Sequence, residues 1–295
     1  MTVPAQATNA KSARLAGPEL TDPRNSRVAA ARRLAKRAFR VRGRRFLAEG
    51  PQAVQEALGV PGVVLELYAT GAAADRHADL VVAANAADIP VRLVSGEVFA
   101  ALSQTVTPQG LIAVCAFVDT PFADVVATDP LLVAVLAQVR DPGNAGTVVR
   151  CADAAGAEAV VLTDASVDVY NPKCVRASAG SLFHLPVAVG VDATAGAAGL
   201  REHGLRILAA DGAGELDLDT AADDGLLSGP TAWIFGNEAW GLPPETRALA
   251  DAVVRVPVHG RAESLNLATA AAVCLYASAR AQRQRGGCRT PSKQR

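Results

Sequence analysis

The sequence predicts an α/β protein built in two parts, on three observations. Short apolar runs of Val, Leu and Ala alternate with helix-patterned stretches, the mark of strands backed by helices. Residues 119–130 (DTPFADVVATDP) have turn residues at both ends and no sustained period, so they read as a linker. Beyond them the alternation recurs on a larger scale and ends on residues 254–279, a β-type run, a polar turn and a long Ala-rich helix. At 295 residues, half of them apolar, the chain can bury two separate cores.

In order, residues 1–22 are an Ala/Thr/Pro/Asn tail, expected to be disordered and without the apolar core of a signal peptide. The first domain is expected over 23–118. Residues 26–38 read as one basic helix capped by Asn25 or Ser26, residues 46–48 as a short strand and 52–58 as a helix after a Gly50-Pro51 turn. Strands follow at 63–69, 91–94 and 111–117, with helices at 75–87 and 97–102 between them.

The second domain is expected over 131–283, with a basic disordered tail at 284–295. Its strands are 131–139, 159–162, 206–210, 231–235 and the run holding Val253, Val254, Val256 and Val258. Helices are expected at 144–155, 172–182, 194–203 and 244–250, the second with Pro172 in its first turn, where a missing N–H costs nothing. This pattern predicts an open, mostly parallel sheet with helices on both faces and a ligand beyond the strand C-termini.

Net charge is zero but unevenly spread. Between Arg24 and Arg45 stand ten Lys or Arg and no acid. Such a run suits a polyanion, a solvated helix face being the plain alternative. The five cysteines are scattered without CxxC spacing and the four histidines are not clustered, which argues against a zinc site or a disulfide framework. Four of the five cysteines sit in apolar or helical contexts and read as buried small hydrophobes, which fits a reducing, cytoplasmic setting. No apolar run approaches the roughly 20 residues that cross a bilayer, so no membrane partner is expected.

Three loops after apolar strands carry candidate chemistry. In Arg140 to Gly146, Pro142 and Gly143 force a turn, Gly146 permits close backbone approach and Asn144 can cap the following helix. Arg150, among Val148, Val149 and Cys151, is costly to bury without an anion, a structural salt bridge being the bland alternative. In Phe235 to Pro243 an apolar strand runs straight into Gly236, Glu238 and Gly241, a close-approach loop whose Glu238 needs a partner or an exposed position. The third loop crowds Glu263, Ser264 and Asn266 before a helix whose face holds Leu265, Ala268, Ala272, Leu275 and Ala279, and Ser264 stands where its N-cap belongs. Asp211 to Gly214 follows a strand but lacks the third glycine of a dinucleotide fingerprint.

Together these loops, in order and closely spaced, resemble the SpoU/TrmH branch of the SPOUT RNA methyltransferases. The matching stretches are Asp141 to Arg150 (DPGNAGTVVR), Gly236 to Leu242 (GNEAWGL) and Val256 to Asn266 (VPVHGRAESLN), with Tyr170 to Gly180 resembling the segment between the first two. Residues 24–117 resemble more loosely the ribosomal-protein-like RNA-binding domain of several members, Arg45 to Gly50 (RFLAEG) most closely. The fold implied is a small α/β RNA-binding domain before an α/β trefoil-knot methyltransferase domain, an exception to the rule against threaded chains.

The resemblance implies methyl transfer from S-adenosylmethionine to a ribose 2′-hydroxyl, without a metal. By position Gly236, Val256 and Leu265, with neighbours Phe235, Leu242 and Asn266, would hold the donor, largely through backbone groups. Arg150 matches the family's catalytic arginine. A guanidinium keeps its proton, so its expected task is to orient phosphate and ribose while phosphate or water takes the proton. Asn144, Glu238, Ser264 and Asn266 would complete the site. Arg27, Arg32, Arg33, Lys36, Arg37, Arg40, Arg42, Arg44 and Arg45 would bind RNA. A homodimer through the knot domain is implied, and 23S rRNA is the favoured substrate. A tRNA 2′-O-methyltransferase, an rRNA methyltransferase conferring antibiotic resistance and a non-catalytic RNA-binding or assembly protein are the alternatives.

Overall fold

The computed structural model describes residues 15–237 and 240–285 and divides between Ala116 and Phe117 into two units. In the first, α1 (Ser26–Arg33), α2 (Arg37–Gly43), β1 (Arg45–Glu49), α3 (Pro51–Leu58), β2 (Val64–Ala69), α4 (Gly71–Arg76), α5 (Ala78–Ala86), β3 (Val91–Leu93), α6 (Gly96–Leu102) and β4 (Leu111–Ala116) follow in sequence. The sheet runs β1-β4-β2-β3 and is antiparallel except between β2 and β3. Residues 15–22 are not a free tail, because Leu15 and Leu20 pair with Val91 and Val94 along the edge strand β3. Residues 1–14 and 286–295, the latter holding Cys288 and most of the expected basic tail, lie outside the described residues.

The single helix expected over 26–38 is broken. α1 packs Val28, Ala31 and Leu34 against Leu47, Tyr68, Ile112 and Val114. Past Leu34 the stripe holds only Ala35 and Ala38, so a straight continuation would bury little. The chain turns instead, and Arg40 folds back to donate from Nη1 to the carbonyls of Leu34 and Ala35, both at 2.8 Å. Arg40 is 2% exposed, so the RNA-binding role expected of it is corrected to a structural one. We expect Arg40→Ala to cost on the order of 2 kcal/mol of stability, the worth of charge-assisted hydrogen bonds. Urea melts would read that loss, and the salt dependence of polyanion binding should stay unchanged; a changed salt slope at full stability would return Arg40 to the binding surface.

In the second unit α7 (Phe122–Val126) and β5 (Leu132–Leu136) lead into α8 (Pro142–Ala155), β6 (Ala159–Thr163), α9 (Pro172–Ser178), β7 (Val187–Val191), α10 (Ala193–Glu202) and β8 (Arg206–Ala210). After them come β9 (Leu216–Asp217), α11 (Leu218–Asp223), β10 (Thr231–Phe235), α12 (Pro244–Arg247), β11 (Ala252–Arg255) and α13 (Leu267–Arg285). Residues 119–130 are not a bare linker. Val125 and Val126 of α7 are buried in the core of this unit, with Phe122 packed against it. Just before, Phe117 stacks on Tyr170, whose hydroxyl accepts from the N–H of Val118 and donates to Asp119.

The seven strands run β7-β6-β5-β10-β8-β11-β9, every pair parallel. The order grows outward from β5 to β7, then restarts on the other side at β8, so β5 and β10 flank a topological switch point. Val133, Val135, Ala232 and Ile234 face the core that Leu200 of α10 joins. Trp233 points the other way and donates its indole N–H to Ser278 of α13 at 2.8 Å, satisfying a buried donor.

α13 therefore does not cover β11, the strand it follows. It returns across the sheet to α8, β5 and β10, the route that threading of the terminal segment demands. Its buried face is Leu267, Ala268, Ala271, Cys274, Leu275, Ser278 and Ala279, whereas Leu265 of the expected stripe is exposed and precedes the helix.

Candidate active site

Asp141, and not Asn144, caps α8: its carboxylate accepts the N–H of Asn144 at 2.8 Å. Lys173 donates to the same carboxylate at 2.7 Å. That bond first, then the N–H groups of Asn144 and Gly143, hold the Asp141 carboxyl below the usual carboxylate range. Its folded value is depressed, so the stabilisation is present above the unfolded value and is lost as pH falls through the folded one.

Gly146 makes the close approach its type allows, to α9 of the same unit. A Cβ there would stand 2.3 Å from the Cys174 carbonyl oxygen and 2.8 Å from Ala177 Cβ. The thiol of Cys174, itself buried, is pushed up to about 12 by desolvation, which leaves it no role as a nucleophile at neutral pH. Cys115, Cys151 and Cys274 are likewise unpaired thiols.

With the cap role taken by Asp141, the Asn144 side chain is turned to another use. Its Oδ1 accepts from Nδ2 of Asn266 at 3.2 Å, joining the first motif to the third across 122 positions. Asn266, and not Ser264, caps α13, since its Oδ1 takes the N–H of Ala268 at 2.9 Å. Ser264 is exposed on the preceding segment.

The second motif enters through β10. Gly236 lies so near the returning strand of its own loop that a Cβ would stand 2.5 Å from the Gly241 carbonyl oxygen. Asn237 and Gly241 exchange backbone hydrogen bonds of 3.0 and 2.8 Å, closing the loop. The Asn237 amide donates to Gln138 O at 3.4 Å, which ties this loop to the one after β5. Glu238 lies outside the described residues.

Phe235 is buried in the sheet and its carbonyl already accepts the N–H of Ala137. Leu242 is buried in the core. Val256 is half-buried and Leu265 exposed. Arg150 is exposed, contrary to the burial expected of it, because it lies off the stripe of α8 that carries Val148, Val149 and Ala152. Among the described residues no ion pair forms on it.

Two residues of the first two candidate loops had no role expected of them from the sequence. The Arg140 guanidinium sits 5.5 Å from the ring centroid of Trp240, bridging the loops after β5 and β10. Trp240 is 55% exposed, and a bulky aromatic in a glycine-flanked polar loop was the signal that could have found it.

Among the described residues, no hydrogen bond involves residues 256–265. Their backbone donors and acceptors are left to solvent or a ligand at the C-terminal edge of the sheet. That composition fits a small molecule recognised through main-chain groups, as expected for S-adenosylmethionine. No cluster of His, Cys, Asp or Glu able to hold a metal occurs among the described residues.

Comparison with known proteins assigns the frame. The SpoU rRNA Methylase family model matches residues 131–276, and the MRM3-like substrate binding domain model matches residues 25–113. The 23S rRNA (guanosine(2553)-2′-O)-methyltransferase RlmP of Bacillus subtilis is 33% identical over 264 residues, 88% of this chain and 98% of that protein. The chain belongs to the SpoU rRNA methylase family.

Solved structures agree with that membership. The AdoMet-bound rRNA methyltransferase of Sinorhizobium meliloti superposes with a TM-score of 0.78 at 31% identity, covering 89% of this chain and 97% of that one. The SpoU methyltransferase AviRb of Streptomyces viridochromogenes, in complex with AdoMet, gives 0.76 at 27% identity over 90% and 100% of the two chains. The SpoU chain described here is thus an α/β methyltransferase of the SPOUT type, dependent on S-adenosylmethionine, with a small sheet domain before it.

Proposed function

We propose that this SpoU-family chain methylates a ribose 2′-hydroxyl of 23S ribosomal RNA. The observation that carries the reading is the Asn144–Asn266 hydrogen bond, which gathers two distant motifs at the switch point of a parallel sheet. Bound S-adenosylmethionine supplies a methyl group already activated on a sulfonium. The chain's task is to align the hydroxyl in line with that methyl and help its proton leave. Asn266 keeps the second N–H of its amide for a ribose oxygen, with Asn144 holding that amide in place. Arg150, with no ion pair among the described residues, can hold the adjoining phosphate, which or a water then takes the proton. Val256, Leu265 and the Gly236 loop would enclose the donor.

The ribosomal choice rests on the relatives: RlmP and the Streptomyces viridochromogenes 23S rRNA (uridine(2479)-2′-O)-methyltransferase, 38% identical over 154 residues, both act on 23S rRNA by name. Residues 23–118 would bind that RNA through exposed Arg27, Arg32, Arg33, Lys36, Arg37, Arg42, Arg44 and Arg45. Work in the cytoplasm is part of this reading.

A homodimer belongs to the same reading. Arg150 follows Asn144 by six residues, about 9 Å along α8 and roughly 120° around it, so the two do not face one ribose from one copy. On α13, Val273 and Tyr276 leave an apolar stripe exposed, fit for a second copy.

Mapping 2′-O-methyl positions in total RNA from cells with and without the protein tests the reading. The expected difference is one 23S nucleotide. A difference confined to transfer RNA, or labelled methyl recovered on a base, would overturn it.

A further inference from the structure

The first unit holds a groove of about 590 Å³ walled by α1, α2 and the strands beneath them. Arg27 and Arg33 reach it from α1, Phe39 and Arg42 from α2, Arg45 from β1, and Glu66 from β2. Glu66 does not neutralise the wall. Its carboxylate already accepts from Arg92 Nε and from the Tyr68 hydroxyl, with Arg27 at 3.7 Å. Arg33, Arg42 and Arg45 form no ion pair among the described residues. The groove is therefore concave and cationic.

Its second property is aromatic. Phe39 is 37% exposed, and the Arg33 guanidinium lies 5.7 Å from its ring centroid. Phe39 shares α2 with Arg37, Arg40, Arg42 and an exposed Val41, and its ring lies outside the core that α1 forms on the sheet. Duplex RNA would use the guanidinium groups but has no flat face to offer a ring. An unpaired base does, and single-stranded recognition rests on base stacking upon aromatic and guanidinium planes.

We propose that this groove captures one unpaired nucleotide of the substrate RNA, its base stacked on Phe39 beside Arg33 and its phosphates held by Arg27, Arg42 and Arg45. The proposal rests on RNA being the substrate and adds what the RNA must present: a splayed nucleotide away from the methylated ribose. It separates the groove arginines from Arg32 and Lys36, which lie outside it and serve the general field alone.

The test uses the full chain, a labelled single-stranded hexauridylate and an RNA duplex of equal phosphate count. Phe39→Ala should weaken the single strand about tenfold, leave the duplex within twofold and keep the salt slope. Phe39→Trp should restore affinity and lose fluorescence on binding. Arg42→Ala and Arg45→Ala should each lower the salt slope by about 1, Arg32→Ala by less. Calorimetric binding of S-adenosylmethionine should be the same in every variant. The proposal is overturned if Phe39→Ala leaves hexauridylate binding unchanged, or weakens duplex and single strand alike. A wild-type chain that binds S-adenosylmethionine but neither RNA would sink the RNA reading itself.

Discussion

Arg150→Ala is expected to lower methyl transfer on the order of 10²-fold, the scale of losing one charge-stabilising group, with stability within ~0.5 kcal/mol of wild type. The second half of that statement comes from the structure. An exposed guanidinium with no ion pair among the described residues holds nothing of the fold together. Activity should fall through the substrate's alignment, while S-adenosylmethionine binding stays intact. Unchanged turnover by Arg150→Ala would remove the residue from the mechanism.

The same variant tests the dimer. Asn144→Ala loses the Asn266 contact and should also be inactive. If Arg150 of one copy serves the Asn144–Asn266 pair of the other, mixing the two inactive proteins after subunit exchange rebuilds one intact site in each mixed dimer. Recovered activity should approach about a quarter of wild type. No recovery, in a mixture shown to exchange subunits, would place both residues in one copy.

Gly146→Ala is expected to destabilise the chain by ~3 kcal/mol or more. The added methyl group would meet the Cys174 carbonyl oxygen at 2.3 Å and the Ser178 nitrogen at 3.0 Å, both backbone atoms that cannot rotate away. α8 and α9 must then part, dragging Lys173 from Asp141 and loosening the cap beside the site. Gly143→Ala is the control. Its methyl would meet Asp141 Oδ1 and Lys173 Cε, side-chain atoms that can swing aside at the expense of the α8 cap, about 1 kcal/mol, so its cost in urea melts should be clearly smaller. Equal costs would mean that helix spacing does not set the effect.

Much of this was legible because the relevant signals are local. Apolar runs such as 131–139 and 231–235 became β5 and β10, buried on both faces as parallel strands require. The motif loops declared themselves by glycine and proline at strand ends. What escaped depends on where a side chain turns after the backbone is built. Nothing in the spacing of Arg40 distinguishes it from Arg42, yet one is buried against two carbonyls and the other is exposed. Asn144 and Ser264 had the right type for caps, but Asp141 and Asn266 stood better placed to accept the free N–H groups. β7 reads VAVGV, apolar like its neighbours, but Gly190 inside it and Pro186 before it are breaker signals that mask a strand. The helix in 119–130 shows only through burial of Val125 and Val126 against distant strands.

The return of α13 has a consequence for the order of folding. Gln282 donates to the carbonyl of Leu131, 151 positions earlier, as well as to that of Gly229. The second donor to Leu131 O beside the Thr231 N–H, the hydroxyl that satisfies Trp233 and the amide that meets Asn144 all come from the segment 266–282. A chain in which that segment has not yet docked has its strands but not its site. Activity should therefore appear only in one late and slow folding step, set by long-range closure.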